Sequence, residues 1–353
     1  MNGDSYIVDG SLQRLLDVKD VTIGDLTEVR ELLRGGSVVD WVQVYFSSIP
    51  GVDEFLKVYG FDPDNVVEME RLNTLHRQAV SYITESLGLS LPSTLTRPAQ
   101  VQKLFLYASS SGPYRMKACT VLKVMHVLNH LDARQLVYNL NISERELFAR
   151  LEKRVSATVM QMVDAGFDID EYVPSQKTKE SLITKTLSKE RGTAARVFDR
   201  IRFRIIANHR KDLVPVLLYL KKHLLPFSCL IPGESNNTLA PFSDLVSEAL
   251  GVEINLDTSG VDRHRFNPFS HRDFRVISFV VDIPVHVEDL MQAAGLVHLS
   301  RFGHQVFIPT EFQLFDKATH FLNESGPAAH SQYKDRQVRE VISRLFKGHV
   351  ESD

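Results

Sequence analysis

The sequence predicts an α+β protein: a helical region over residues 1–142, then a domain over residues 143–353 with a mixed β-sheet flanked by helices. Three observations predict it. Apolar residues over the first ~150 positions recur at helical spacing. After Gly166 the pattern changes to short alternating runs between helical ones. The order strand, helix, strand, helix, then two long strands and terminal helices is that of a sheet covered by helices. The length, 353 residues, suits two domains at roughly 100–200 residues each.

In the helical region, residues 25–33 read as a helix stopped by Gly35-Gly36. Residues 66–87 form a long amphipathic pattern closed by Gly88, and 98–108 and 114–131 follow. Residues 143–165 carry full boundary signals: Ser143 as N-cap, Glu146 in the capping-box position and Gly166 as the stop. Further on, residues 167–173 read as a short strand and 177–187 as a basic helix. Residues 201–207 (IRFRIIA) alternate like a half-buried strand. Residues 212–224 are an apolar helix capped by Asp212, with Pro215 tolerated in its first turn. Residues 227–231 are a strand candidate, and 232–268 are the loosest stretch, with one short helix at 243–250. The strongest strand patterns are 274–281 and 305–315; helices at 316–323 and 333–346 end the chain.

Composition narrows the function. A net charge of −3 argues against a strongly basic nucleic-acid binder. The two cysteines, Cys119 and Cys229, give neither a disulfide framework nor a CxxC metal signature, which fits a reducing cytoplasm. The most apolar late run, residues 276–287, is broken by Asp282 and Pro284 and is too short to span a bilayer. Residues 1–10 have no basic or apolar targeting pattern. The expectation is a cytoplasmic protein without a membrane partner.

Three segments carry candidate chemistry. Lys177, Ser181 and Lys185 are spaced by four, so one helix would place them on one face, as a grip for phosphates. Taken alone, the same spacing is also a solvated lysine face. Asp199 stands at the entry to a strand bearing Arg202 and Arg204 on one side, where a carboxylate could hold Mg²⁺ beside phosphates. Glu311 and Gln313 alternate with Phe312 and Leu314, so they project from one face of another strand.

Together, in order, these segments resemble the synthetase domain of the RelA/SpoT alarmone enzymes. The family pattern R-x-K-x-x-x-S-I-x-x-K aligns with Ser175, Lys177, Ser181, Leu182 and Lys185, and D-x-x-G-x-R with Asp199, Arg202 and Arg204. E-V-Q-I-R aligns with Glu311, Phe312, Gln313, Leu314 and Phe315, and A-A-H-x-x-Y-K with Ala328, Ala329, His330, Tyr333 and Lys334. The resemblance covers residues 175–334 and implies a RelA/SpoT-like nucleotidyltransferase domain. It implies an ATP- and Mg²⁺-dependent pyrophosphokinase that moves the β,γ-pyrophosphate of ATP to a hydroxyl of a nucleotide or RNA acceptor. Lys177, Ser181, Lys185 and Arg204 would hold the nucleotide's phosphates, with Phe274 and His330 as further nucleotide contacts. Asp199 and Glu311 would bind the metal and, with Gln313, form the catalytic set. Such a transfer needs charge neutralisation and positioning more than covalent help.

The chain departs from that pattern at specific places. Ser175 replaces the first arginine of the grip, Arg202 stands at a glycine position, and Phe315 replaces an arginine. The family's G-Y-x-S-x-H aligns with Asp273, Phe274, Val276 and Ser278, without its serine and histidine. These changes open a second reading, a non-catalytic nucleotide or alarmone sensor on the same fold. A third is RNA contact through Arg191, Arg196, Arg200, Arg202, Arg204, Arg210 and Lys211. In the helical region, His126 and His130 stand four apart, a spacing that can hold a metal but more often packs a helix.

Overall fold

The computed structural model describes residues 23–34, 46–140, 142–188, 200–251, 253, 271, 273–325 and 330–346. The architecture is α+β. The first described helices are α1 (Ile23–Arg34), α2 (Ile49–Tyr59), α3 (Val66–Ser81), α4 (Ser93–Thr96), α5 (Lys103–Ser109), α6 (Arg115–Asn139) and α7 (Glu144–Asp164). Helix α3 runs on into a π-helical turn, Tyr82–Ser86, in place of the single long helix expected there. Helix α2 was not anticipated: Ser48 Oγ accepts from Gly51 N at 3.3 Å, Pro50 sits in the first turn, and Gly60 ends it at φ 94°. A Cβ at Gly60 would lie 1.9 Å from Gln305 Oε1 and 3.1 Å from Pro284, so only glycine lets this helix end lie against the sheet.

The capping signal at Ser143 is realised, with its Oγ accepting from Glu146 N at 3.1 Å. Ser143→Ala is expected to cost about 1 kcal/mol of stability, read from the midpoint of urea denaturation. By contrast, Asp212 makes no side-chain cap. A 3-10 turn, Arg210–Asp212, precedes helix α9 (Leu213–His223) instead.

Among the described residues the sheet has five strands in the order β1-β2-β5-β4-β3: β1 (Ile169–Gln176), β2 (Ile201–Ala207), β3 (Asn236–Asn237), β4 (Ile277–His286) and β5 (Gln305–Asp316). It is mixed, as predicted. β2 and β5 run parallel, while the β1–β2, β5–β4 and β4–β3 pairs are antiparallel. Residues 227–231 do not form a strand; Phe227–Cys229 is a 3-10 turn, and only Leu230 bridges to Val281. The remaining helices are α8 (Lys179–Ser188), α10 (Phe242–Leu250), α11 (Glu288–Ala293), α12 (Lys317–Ser325) and α13 (His330–Leu345).

Strand alternation divides the sheet into two faces. One is apolar: Phe203, Phe312 and Phe279 lie in one rung, and Phe148 of α7 stacks on Phe203. The apolar core runs without a break from Leu26 and Val29 of α1 through α2–α7 to Leu314 of β5. Arg154 of α7 ties these layers, donating to Val58 O at 3.1 Å and to Pro284 O. No helix among the described residues is long and apolar enough to cross a membrane.

Candidate functional site

The other face of the sheet carries Arg202, Arg204, Glu311 and Gln313 of the residues singled out in the sequence. Two adjacent rungs cross it. The first reads Ser175, Arg202, Glu311, Val280; the second reads Val173, Arg204, Gln313, Ser278, Asn236. Strand pairing, not local sequence, makes this array, because Arg202 and Glu311 are 109 positions apart.

The first rung holds an ion pair. Arg202 Nε donates to Glu311 Oε2 at 2.7 Å, with side chains only 19% and 13% exposed. Gln313 Nε2 donates to the other oxygen, Glu311 Oε1, at 2.9 Å. In the second rung Arg204 reaches Glu324 Oε1 of α12 at 3.4 Å, and its guanidinium lies 5.4 Å from the ring centre of Phe315. Burial first, then the neighbouring Arg202 charge, lowers the Arg204 pKa from its ordinary value. Two acceptors in this rung, Gln313 Oε1 and Asn236 Oδ1, are buried without a hydrogen-bond partner. Such atoms are rare in folded proteins and call for an explanation.

The phosphate grip differs from the expectation. Helix α8 begins at Lys179, so Lys177 does not share a helix face with Ser181 and Lys185. Its backbone N–H instead donates to Arg200 O at 2.9 Å and continues the strand pairing. The physical reason is that β1 runs on to Gln176, through Pro174 and Ser175, taking up the chain that would have started the helix. Thr178 then forms the helix entrance, its Oγ1 accepting from Ser181 N at 3.3 Å. Lys177 thus directly continues β1 past Ser175, while Ser181 and Lys185 lie on the helix that follows.

Phe274 packs edge-on against Phe315 at 6.2 Å, in a small apolar cluster with Ile206 and Val276 at the end of the polar face. His330 opens α13, and its side chain is outside the described parts; Asp199 lies outside the described residues.

Magnesium binds oxygen ligands at about 2.0–2.1 Å and tolerates little distortion. Glu311 is engaged at both oxygens, one of them by a guanidinium, so a metal ion there would compete with Arg202 for the carboxylate. Among the described residues, the arginines of the 191–211 segment each have an acidic partner. Arg200 pairs with Glu144, Arg202 with Glu311, Arg204 with Glu324 and Arg210 with Glu248. Arg191 and Arg196 lie outside the described residues.

A second cluster lies apart from this face. His126 and His130 of α6 meet Cys229, their ring centres 4.3 Å apart and Cys229 Sγ 3.8 Å from His130 Nε2. Burial lowers the His126 pKa to about 3, with His130 adding to the effect, and that of His130 to about 4. Sequence reading saw the histidine pair but not Cys229, which stands 99 positions beyond His130 and gives no local signal. Asn236 was also missed, since it sits in the least patterned stretch of the chain.

No family model matches the chain, and no curated protein sequence does. Among solved structures, a GTP pyrophosphokinase family protein from Streptococcus pneumoniae aligns with 58% of this chain and 85% of its own, at 14% identity and a TM-score of 0.30. Small alarmone synthetase 1 from Bacillus subtilis covers 63% and 92% at 14% identity and 0.30. Small alarmone synthetase 2 from the same organism covers 59% and 93% at 13% identity and 0.32. At such identities and scores, the assignment of function falls to the residues themselves.

Proposed function

We propose that the polar sheet face binds the phosphates and sugar of a nucleotide without magnesium, and that the domain senses the nucleotide and does not transfer its pyrophosphate. The observation that carries this reading is the Arg202–Glu311 pair, a fixed cation on the carboxylate that would otherwise hold the metal. Arg202 also brings positive charge to the same place, so a phosphate there meets a guanidinium where the family pattern would offer a metal ion. Arg204 in the next rung supplies a second guanidinium, and Lys177 continues the β1 strand beside it. Phe274, at the apolar end of the face, is placed to meet a base.

Calorimetric titration with ATP, GTP and pppGpp, in EDTA and in Mg²⁺, tests this. At least one nucleotide is expected to bind with similar affinity in both buffers. Arg204→Ala is expected to weaken it roughly 10–100-fold, the loss of one charge-assisted contact of about 1.5–3 kcal/mol. A parallel incubation with γ-labelled ATP and Mg²⁺ is expected to label neither nucleotide nor tRNA. Transfer of label to an acceptor, lost in Glu311→Gln, would replace this reading with a divergent Mg²⁺-dependent pyrophosphokinase.

A further inference from the structure

We infer that His126, His130 and Cys229 form a zinc site that fastens helix α6 to the sheet domain. The three donor atoms lie within 4.8 Å of one another. They come from two parts of the chain: two turns of one helix, and the 3-10 turn Phe227–Cys229 that follows α9. Tetrahedral zinc, with bonds of about 2.0–2.1 Å to nitrogen and 2.3 Å to sulfur, needs its donors roughly 3.3–3.8 Å apart. The Cys229–His130 distance of 3.8 Å already meets that limit. The third donor closes by rotation of a half-buried imidazole.

The surroundings are those of a metal-bound histidine pair. In proteins, a ligating imidazole usually gives its other nitrogen to a carboxylate or another oxygen, which fixes its orientation. His126 has such a partner, and His130 has a carboxylate near its other nitrogen but beyond hydrogen-bond distance. His126 Nδ1 lies 3.0 Å from the Tyr59 hydroxyl, leaving its Nε2 open. His130 Nδ1 lies 3.7 Å from Asp282 Oδ2 on β4, while its Nε2 faces the thiol. Phe307 of β5 stacks on His130 at 3.8 Å and holds the ring in its plane.

Charge and donor type select the metal. Two imidazole nitrogens and one thiolate suit zinc, and oxygen-seeking magnesium or calcium would bind poorly. The Cys229 thiolate and the nearby Asp282 carboxylate would together offset the charge of a divalent ion. The fourth position is left to water or a small anion. The inference is independent of the nucleotide reading, because the cluster shares no residue with the polar rungs.

Full-length protein made in zinc-replete medium and purified without chelator is expected to hold one zinc per chain. Protein made in cobalt-supplemented medium is expected to show a thiolate-to-cobalt charge-transfer band and the intense d–d bands of tetrahedral Co²⁺. Cys119→Ala, which changes the other buried thiol, is expected to keep the charge-transfer band. Cys229→Ser is expected to lose it, and His126→Asn to lower the metal content at least tenfold. Folded wild-type protein without bound metal would overturn the site. So would a cobalt spectrum that lacks the thiolate band or that Cys229→Ser leaves unchanged. The wild-type spectrum is decisive even if a variant fails to fold.

Discussion

Phe312→Ala is expected to destabilise the protein by about 3–5 kcal/mol, the range for truncating a fully buried phenylalanine. Phe312 is 0% exposed at the centre of β5. Its ring lies 5.7 Å from Phe203 on one neighbouring strand and 5.6 Å from Phe279 on the other. Deletion therefore opens a cavity between two strands and a helix layer that cannot all move in to fill it. Urea denaturation followed by circular dichroism measures the change, as a lower midpoint at constant slope. Phe321→Ala, at an exposed site on α12, is the control and is expected to change stability by no more than about 0.5 kcal/mol. A loss at Phe312 as small as at Phe321 would mean that β2, β5 and β4 are not paired as described. The effect reaches the candidate site directly. Glu311 and Gln313 flank Phe312 on the opposite face, so the same register that buries the ring aligns the two polar rungs.

Much of this was legible in the sequence, and the limits are physical. Alternation at residues 201–207 and 305–315 marked β2 and β5 nearly to the residue, because both strands set apolar side chains on one face against polar ones on the other. Ser143, Glu146 and Gly166 marked α7, because capping is a local event. Lys177 was misplaced because its helical spacing with Ser181 and Lys185 competes with strand pairing to Arg200, and a partner that distant leaves no local trace. Helix α2 was missed because its short apolar pattern starts at Pro50 and depends on packing against the sheet through Gly60. At the candidate site, sequence supplied the residue types and their faces. It did not supply the Arg202–Glu311 contact, which exists only once β2 and β5 lie side by side. The cluster of His126, His130 and Cys229 was half visible for the same reason: a helix sets the spacing of the two histidines, and the fold alone adds the thiol.

Arg202→Gly restores the glycine of the family pattern and separates what the guanidinium does from what the metal would do. In the wild-type protein the Glu311 carboxylate is 13% exposed, and Arg202 is its charged partner. Removing the arginine leaves a poorly solvated carboxylate with only the Gln313 amide as donor. Breaking a buried pair from one side costs about 3–5 kcal/mol, and the residual exposure here reduces that to roughly 2–3 kcal/mol. Magnesium is then expected to act as the missing cation. Thermal unfolding of the variant should shift upward on adding Mg²⁺, because an ion that binds only the folded state stabilises it. The wild-type transition should not move. Nucleotide affinity in EDTA is expected to fall at least tenfold in the variant, and millimolar Mg²⁺ is expected to recover most of it. If the variant is as stable as wild type and indifferent to Mg²⁺, the ion pair does not govern the site, and the metal-free reading fails with it. If Mg²⁺ restores binding and label also passes from ATP to an acceptor, a single substitution separates this chain from a working transferase. The chemistry then resides in the remaining residues of the face, and Arg202 is the group that holds it off.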